Sequence, residues 1–208
     1  LMLKAKIAIK EYYPVGLVQR GEKNSVAPAN GQNRTLFSKG KSKFMEEAQI
    51  LAEFIDDPNI VNVRDYFEEN NTAYIVMEFL EGKSFKEILE EKGTLSIDEV
   101  LDHMLPLISS LQRVHEHNLI HRDISPANIM QLKDGRVKLL DFGAARDYSN
   151  VEKSMSIILK PGYAPEEQYS SKGNQGPWTD VYAMGSITKE LHKVHGQMCT
   201  LFALQSIN

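Results

Sequence analysis

Polar and apolar residues alternate along Lys4-Ala5-Lys6-Ile7-Ala8-Ile9-Lys10, the period-two pattern of a half-buried strand. Residues 13–42 lose that pattern; they are rich in Gly, Asn, Ser and Lys, with Pro14 and Pro28, and predict a long surface loop or insertion. Phe44, Ala48, Leu51, Ala52 and Ile55 then recur at helical spacing over 43–55, until Asp57-Pro58-Asn59 breaks the helix. Ile60–Phe67 and Ala73–Phe79 read as two strands joined in a hairpin at Glu69-Asn70-Asn71.

The character changes near Glu81-Gly82. Ser84–Glu91 predicts a short helix, and the capping box Ser96-Ile97-Asp98-Glu99 opens a long one reaching about His117, with Pro106 as a point of kinking. Short apolar pieces follow at Leu119–Ile120, Asn128–Gln131 and Val137–Leu140, with a turn at Lys133-Asp134-Gly135 between the last two. Residues 144–162 read as a polar loop, and Thr179 to about Val194 as a helix. No internal repeat is present. The pattern predicts a strand-rich first part, 1–81, and a helical second part, 82–208.

Composition narrows the function classes. With 208 residues, 42% of them hydrophobic, the chain is long enough for one domain or two small lobes with a packed core. A net charge of −4 offers no basic surplus, so nucleic acid and anionic membranes are not expected as main partners. The single cysteine, Cys199, cannot form an internal disulfide, no Cys/His cluster has zinc spacing, and a reducing compartment fits. His115 and His117 sit at the end of a predicted helix, where they read as partners for its last carbonyls rather than metal ligands. No stretch of about 18 apolar residues is present and no signal peptide is visible. The chain enters its first strand almost at once, as a fragment does, so the lack of a visible targeting signal here does not speak for a parent protein.

Several residues carry the chemistry that phosphoryl transfer requires: cations for the phosphates, oxygen ligands for Mg²⁺, and a group to orient the attacking hydroxyl. Lys10 ends the first strand among apolar neighbours and can meet phosphates as a point charge. Glu47 or Glu46, on the following helix, can pair with it. In His121-Arg122-Asp123 the carboxylate can accept a hydrogen bond from a substrate hydroxyl, and Asn128 offers a hard oxygen to Mg²⁺. Asp141-Phe142-Gly143 follows a buried strand; Asp141 is a natural Mg²⁺ ligand and Gly143 permits a sharp turn.

Taken together, Ile7-Ala8-Ile9-Lys10, His121-Arg122-Asp123-Ile124 with Asn128, Asp141-Phe142-Gly143 and Ala164-Pro165-Glu166 resemble the protein-kinase signature, in the family's order. Asp57-Pro58-Asn59-Ile60-Val61, Tyr74-Ile75-Val76-Met77-Glu78 and Gly162-Tyr163-Ala164-Pro165-Glu166 are similar to bacterial, eukaryotic-like serine/threonine kinases, over roughly residues 4–190. The resemblance implies an α+β, two-lobed fold with an ATP cleft between the lobes. It implies Glu47 rather than Glu46 as the partner of Lys10, and Asp123 as the catalytic carboxylate. Asn128 and Asp141 become the Mg²⁺ ligands, Met77 the gatekeeper of the adenine pocket, and Glu78 and Leu80 the hinge. Asp180 resembles the buried helix aspartate that holds the catalytic loop, and Ser149, Ser154 and Ser156 lie where members are often phosphorylated.

The chain departs from that pattern in four ways. No Gly-rich loop precedes Lys10. Ser125 stands where the family usually places a lysine that stabilises charge on the transferred phosphate. Leu159-Lys160-Pro161 occupies the stretch where a serine or threonine usually contacts that lysine, and Lys160 is the expected source of the missing charge. Finally, the chain stops near the end of the central helix of the large lobe, so both lobes are expected to be incomplete, and residues 192–208 do not read as the usual continuation. The leading expectation is an ATP- and Mg²⁺-dependent serine/threonine protein kinase acting on proteins in the cytoplasm, from a parent that is itself free to be membrane-anchored. The alternative is a non-catalytic kinase-like module that binds nucleotide or a partner. A small-molecule phosphotransferase fits less well, because the segment before Ala164-Pro165-Glu166 builds a peptide-docking surface in the family.

Overall fold

A computed structural model of the protein describes residues 5–148, 160–170 and 173–192. Ser149, Ser154, Ser156, Leu159 and Cys199, and the expected end of the last helix at Val194, lie outside the described residues. The chain divides into two compact units between Leu80 and Glu81.

The first unit is built on an antiparallel sheet of β1 (Ile7–Glu11), β4 (Val63–Glu69) and β5 (Thr72–Glu78), in the order β1-β5-β4. The β4–β5 turn runs through Asn70 and Asn71 at φ 51° and 60°, a left-handed conformation that asparagine tolerates better than most residues. The helix α1 (Asn33–Glu53) packs against β4 and β5 and buries Phe44, Glu47, Ala48 and Leu51. Ala73 and Ile75 of β5 are fully buried with them.

The loop expected over 13–42 is instead largely structured. Val18–Arg20 (β2) pairs antiparallel with Val26–Pro28 (β3), and α1 begins at Asn33 rather than at residue 43. The reason is tertiary. Phe37 is buried against Val18 and Val26, with Tyr12, Tyr13 and Leu17 packed around them. Tyr12 approaches α1 so closely that a Cβ on Gly40 would lie 1.9 Å from its hydroxyl. A glycine that weakens helix propensity is therefore the residue that lets the helix dock. The β4–β5 turn closes the other side: Val26 N–H donates to Asn70 O (2.8 Å) and Asn71 Nδ2 to Val26 O (2.7 Å).

In the second unit, α2 (Phe85–Lys92) and α3 (Ile97–Glu116) each open with a capping box, Ser84 with Glu87 and Ser96 with Glu99. The helix α3 runs through Pro106 as one element and buries Val100, Met104, Leu107, Leu111 and Val114. A sheet of β6 (Gly82–Ser84), β8 (Ile129–Leu132) and β9 (Val137–Leu139) is ordered β6-β8-β9. Gly82 is required there, since a Cβ would stand 2.0 Å from Gln131 O. The stretch read as a polar loop contributes β10 (Arg146–Asp147), which pairs with β7 (Leu119–Ile120). The helix α4 (Pro177–His192) packs on α3 and buries Asp180, Ala183, Met184, Ile187 and Leu191. The observed fold class is thus a strand-rich unit followed by a helical one. Among the described residues no helix is long and apolar enough to cross a membrane.

Candidate active site

In the first unit, Lys10 lies on β1 opposite Ile75 of β5. Its Nζ donates to Glu47 Oε1 at 2.8 Å and stands 5.7 Å from the Phe44 ring centroid. Glu47 is 4% exposed whereas Glu46 faces solvent, so the helical register selects Glu47. Met77 is half-buried on β5 between Ala8 and Val63. Glu78 is clamped to Asn62: its N–H donates to Asn62 O (3.0 Å) and its Oε1 accepts from Asn62 N–H (2.8 Å). Leu80 is half-buried at the end of the unit.

In the second unit, the loop after β7 is hung from α4. The buried Asp180 accepts from the backbone N–H of His121 and of Arg122, each at 2.8 Å, and its Oδ2 also meets His115 Nε2 at 2.9 Å. His115 is therefore a partner of this aspartate and not of a helix carbonyl, whereas His117 does meet Arg113 O at 2.8 Å. His121 is fully buried; Asp123 N–H donates to its Nδ1 (3.2 Å), so its Nε2 carries the proton given to Leu140 O (3.0 Å). Burial holds this imidazole below its ordinary pKa, against the pull of Asp180, which fits the neutral tautomer. Arg122 sits at φ 69°, gives Nε to Gln175 Oε1 (2.7 Å) and takes Gln168 Nε2 on its carbonyl (2.8 Å).

This loop carries Asp123 and Asn128. Both hydrogen bonds of Asn128 Nδ2 go to Asp123, to O at 2.8 Å and to Oδ2 at 2.9 Å. The amide oxygen of Asn128 is thereby left for other partners. Asp123 Oδ1 is buried and accepts no aligned hydrogen bond among the described residues. Asn128 O accepts from Leu140 N–H (2.8 Å), which ties this loop to the segment entering Asp141. The sharp turn there is taken by Asp141 itself, at φ 57°, and not by Gly143 as the sequence suggests. Gly143 N–H donates to Asp141 Oδ1 (3.2 Å), while Phe142 is buried edge-on against His121, centroids 4.5 Å apart.

Lys160 reaches the same loop. Its Nζ donates to Ser125 Oγ at 3.0 Å and lies 3.1 Å from Asp123 Oδ1. The backbone that holds it follows from Lys160-Pro161-Gly162-Tyr163: proline presets the second position of a type II turn and glycine the third, which needs positive φ. Gly162 has φ 91°, and Lys160 O accepts from the N–H of Tyr163 (3.0 Å) and of Ala164 (3.1 Å). Tyr163 Oη in turn donates to Glu190 of α4. Burial, with this carboxylate beside it, pushes the phenol well above its ordinary pKa. The pairings of His115 with Asp180, of Gln168 and Gln175 with Arg122, and of Tyr163 with Glu190 leave no signal in sequence patterning, because the partners lie 27 to 65 residues apart.

The sequence matches the family model described as protein kinase domain over residues 16–199. Lys10 precedes that span, so its assignment stands on the ion pair with Glu47. The Clostridium perfringens protein named probable serine/threonine-protein kinase CPE1738 is 35% identical over 152 residues, 72% of this chain and 22% of its own. Serine/threonine-protein kinase PrkC of Bacillus subtilis is 36% identical over 151 residues, 72% of this chain and 23% of its own. The chain thus spans about a quarter of the length of these curated relatives. Among solved structures, PpkA-294 in its apo form is similar with a TM-score of 0.75 and 35% identity, covering 89% of this chain and 65% of that one.

Proposed function

The chain belongs to the protein kinase family, and we propose that it is the catalytic part of a serine/threonine kinase that transfers the γ-phosphoryl group of ATP to protein hydroxyls. The observation that carries this reading is Asp123. Its Oδ2 is held by Asn128, while its buried Oδ1 faces the Lys160 ammonium at 3.1 Å but has no aligned donor among the described residues, which leaves it the oxygen to accept one from a substrate hydroxyl. A carboxylate oxygen has more than one lone pair, so the ion pair with Lys160 leaves Oδ1 able to accept from a substrate hydroxyl as it is oriented for attack. The acceptor oxygen bonds to the γ-phosphorus as the bond to the β,γ-bridging oxygen breaks. ADP leaves with that electron pair, and the hydroxyl proton passes to Asp123 Oδ1.

The donor set fits Mg²⁺. Among the described residues no three His, Cys, Asp or Glu side chains form a metal cage, and Mg²⁺ is commonly held by one or two carboxylates together with substrate phosphates. Asn128, through its amide oxygen, and Asp141 would hold it. When bound, it neutralises phosphate charge. Lys10, steadied by Glu47, serves the α- and β-phosphates, and Met77, Glu78 and Leu80 border the adenine. A compartment rich in ATP, the cytoplasm, follows from the same reading. The non-catalytic alternative rests on Ser125; the Lys160 ammonium 3.0 Å from Ser125 Oγ weighs against it.

The test is transfer of γ-labelled phosphate from Mg·ATP to a serine- and threonine-containing protein by the full-length protein. We expect incorporation that falls about 10²–10⁴-fold in Asp123→Asn, with nucleotide binding retained. Wild-type protein that binds Mg·ATP without transferring phosphate would establish the binding-module reading instead.

A further inference from the structure

Resting on the kinase reading, we infer that Lys160 is a catalytic residue: its ammonium, carried by the 160–163 turn rather than by the loop that bears Asp123, contacts the phosphoryl group in transit. Three observations support this.

The first is the geometry of the contact. Lys160 Nζ is 3.1 Å from Asp123 Oδ1, yet that oxygen receives no aligned hydrogen bond. The aligned N–H goes to Ser125 Oγ. An ammonium has three N–H groups, so donors remain for a further oxygen beside the atom that accepts the hydroxyl proton. The Lys160 side chain is 36% exposed and that of Asp123 17%, so the pair is not sealed from solvent.

The second is Ser125. It is 2% exposed and immediately precedes the short turn Pro126–Asn128, with Asn128 N–H donating to Ser125 O at 2.9 Å. A short side chain at this position leaves room for the lysine from another segment, and its hydroxyl is the rest on which that lysine is aligned.

The third is the fixation of Lys160 itself. Its carbonyl closes the type II turn, and Tyr163 in that turn is tied to Glu190. A long, flexible side chain is thus rooted in backbone that has little freedom, as preorganised charge stabilisation requires. Because the cation and the proton acceptor belong to different segments, the site is complete only when the 160–163 turn is seated.

The experiment compares full-length wild type with Lys160→Met, Lys160→Arg and the double variant Ser125→Lys/Lys160→Met. The readouts are kcat, KM for ATP, the thermal midpoint, and binding of Mg·ADP with and without aluminium fluoride, a mimic of the phosphoryl group in transit. We expect Lys160→Met to lower kcat about 10²–10³-fold, with KM for ATP and the midpoint unchanged. It should also abolish the tightening that aluminium fluoride produces in wild type. Lys160→Arg should fall between the two, and the double variant should regain most of the lost kcat, because it returns an ammonium to the same place from position 125. A Lys160→Met protein that keeps its kcat, or loses it only as it loses stability while still binding the fluoride complex tightly, overturns the inference. So does a folded double variant with no recovery. Wild type that transfers no phosphate overturns the kinase reading and this inference together; active wild type with an indifferent Lys160→Met overturns this inference alone.

Discussion

Lys10 in the first unit and Lys160 in the second each stand beside a carboxylate, but they are positioned by different kinds of scaffold. Lys10 belongs to a strand in register, opposite Ile75, and its partner Glu47 projects from a 21-residue helix packed on the same sheet. Its place is set by hydrogen-bond ladders and apolar packing. Lys160 belongs to a four-residue turn whose conformation depends on Pro161, Gly162 and a tether from Tyr163 to Glu190. One cation is fixed by regular structure and the other by turn chemistry. A pair held by a sheet and a helix tolerates loss of one contact, whereas a turn transmits any change in its backbone directly to the side chain it carries.

Among variants that leave Lys160 in place, the largest effect that tests this contrast is expected at the first cation. Lys10→Met removes the ammonium proposed to meet the phosphates and breaks the ion pair with the buried Glu47. Transfer should fall about 10²-fold, the scale of losing one preorganised donor, with a raised KM for ATP. Glu47→Gln keeps a hydrogen-bonding oxygen near Lys10 and should cost about tenfold or less. Steady-state kinetics on the two variants separates them. Equal losses would mean that the sheet alone does not hold Lys10, and the contrast with Lys160 would disappear.

Next in size is Gly162→Ala. The added Cβ meets no atom of the described residues within 4 Å, so among them the change acts through φ 91°. Holding an L-residue in left-handed backbone costs about 1–2 kcal/mol, and relaxation of the turn moves Lys160. We expect kcat to fall about tenfold, the rate equivalent of 1.4 kcal/mol, with KM for ATP unchanged. In the Ser125→Lys/Lys160→Met background the same substitution should leave kcat alone, because the cation no longer rides on the turn. Loss of kcat in both backgrounds would mean that the turn serves something other than Lys160.

The same contrast explains what could be read from the sequence. Lys10, Asp123, Asn128 and Asp141 sit in short local patterns on or beside periodic elements, and Ser84 and Ser96 announce their helices through a glutamate three residues on. Such signals are local and survive in one dimension. The helical start at Asn33 was hidden because Phe37 finds its partners, Val18 and Val26, across a hairpin. The left-handed backbone falls on Asp141 and not on Gly143 two residues on, where Gly143 N–H donates to Asp141 Oδ1 and Phe142 is buried against His121. Lys160 was visible as a charge in the right stretch. Its seat on Ser125 was not, because 35 residues separate them. Tyr163 with Glu190, and His115 with Asp180, are tertiary pairings of the same kind.

The smallest effect separates the units by pH. All six histidines follow Gly82, so the first unit has none. In the second, burial holds both His103 and His121 below the ordinary value of 6.5. Glu99 and Asp102 oppose this at His103, as Asp180, Asp123 and Asp141 do at His121, without prevailing. A histidine whose folded pKa is depressed contributes nothing above the unfolded value, where both states are neutral. As pH falls below 6.5 the unfolded chain takes up protons that the folded unit refuses, and stability drops. In the first unit the carboxylate of Glu11 is held low chiefly by its hydrogen bond to Arg20, so its contribution persists until pH falls below 4.5. Between pH 7 and about 5.5 only the second unit should weaken, its midpoint falling by about 4–8 °C for each kcal/mol lost. Trp178, the single tryptophan, lies on α4 and reports that unit by fluorescence, while hydrogen exchange at β5 amides reports the first. His103→Gln should flatten the Trp178 midpoint against pH. A slope that His103→Gln leaves unchanged would assign the whole effect to His121, and a wild-type midpoint level across the window would mean that the folded unit accepts both protons.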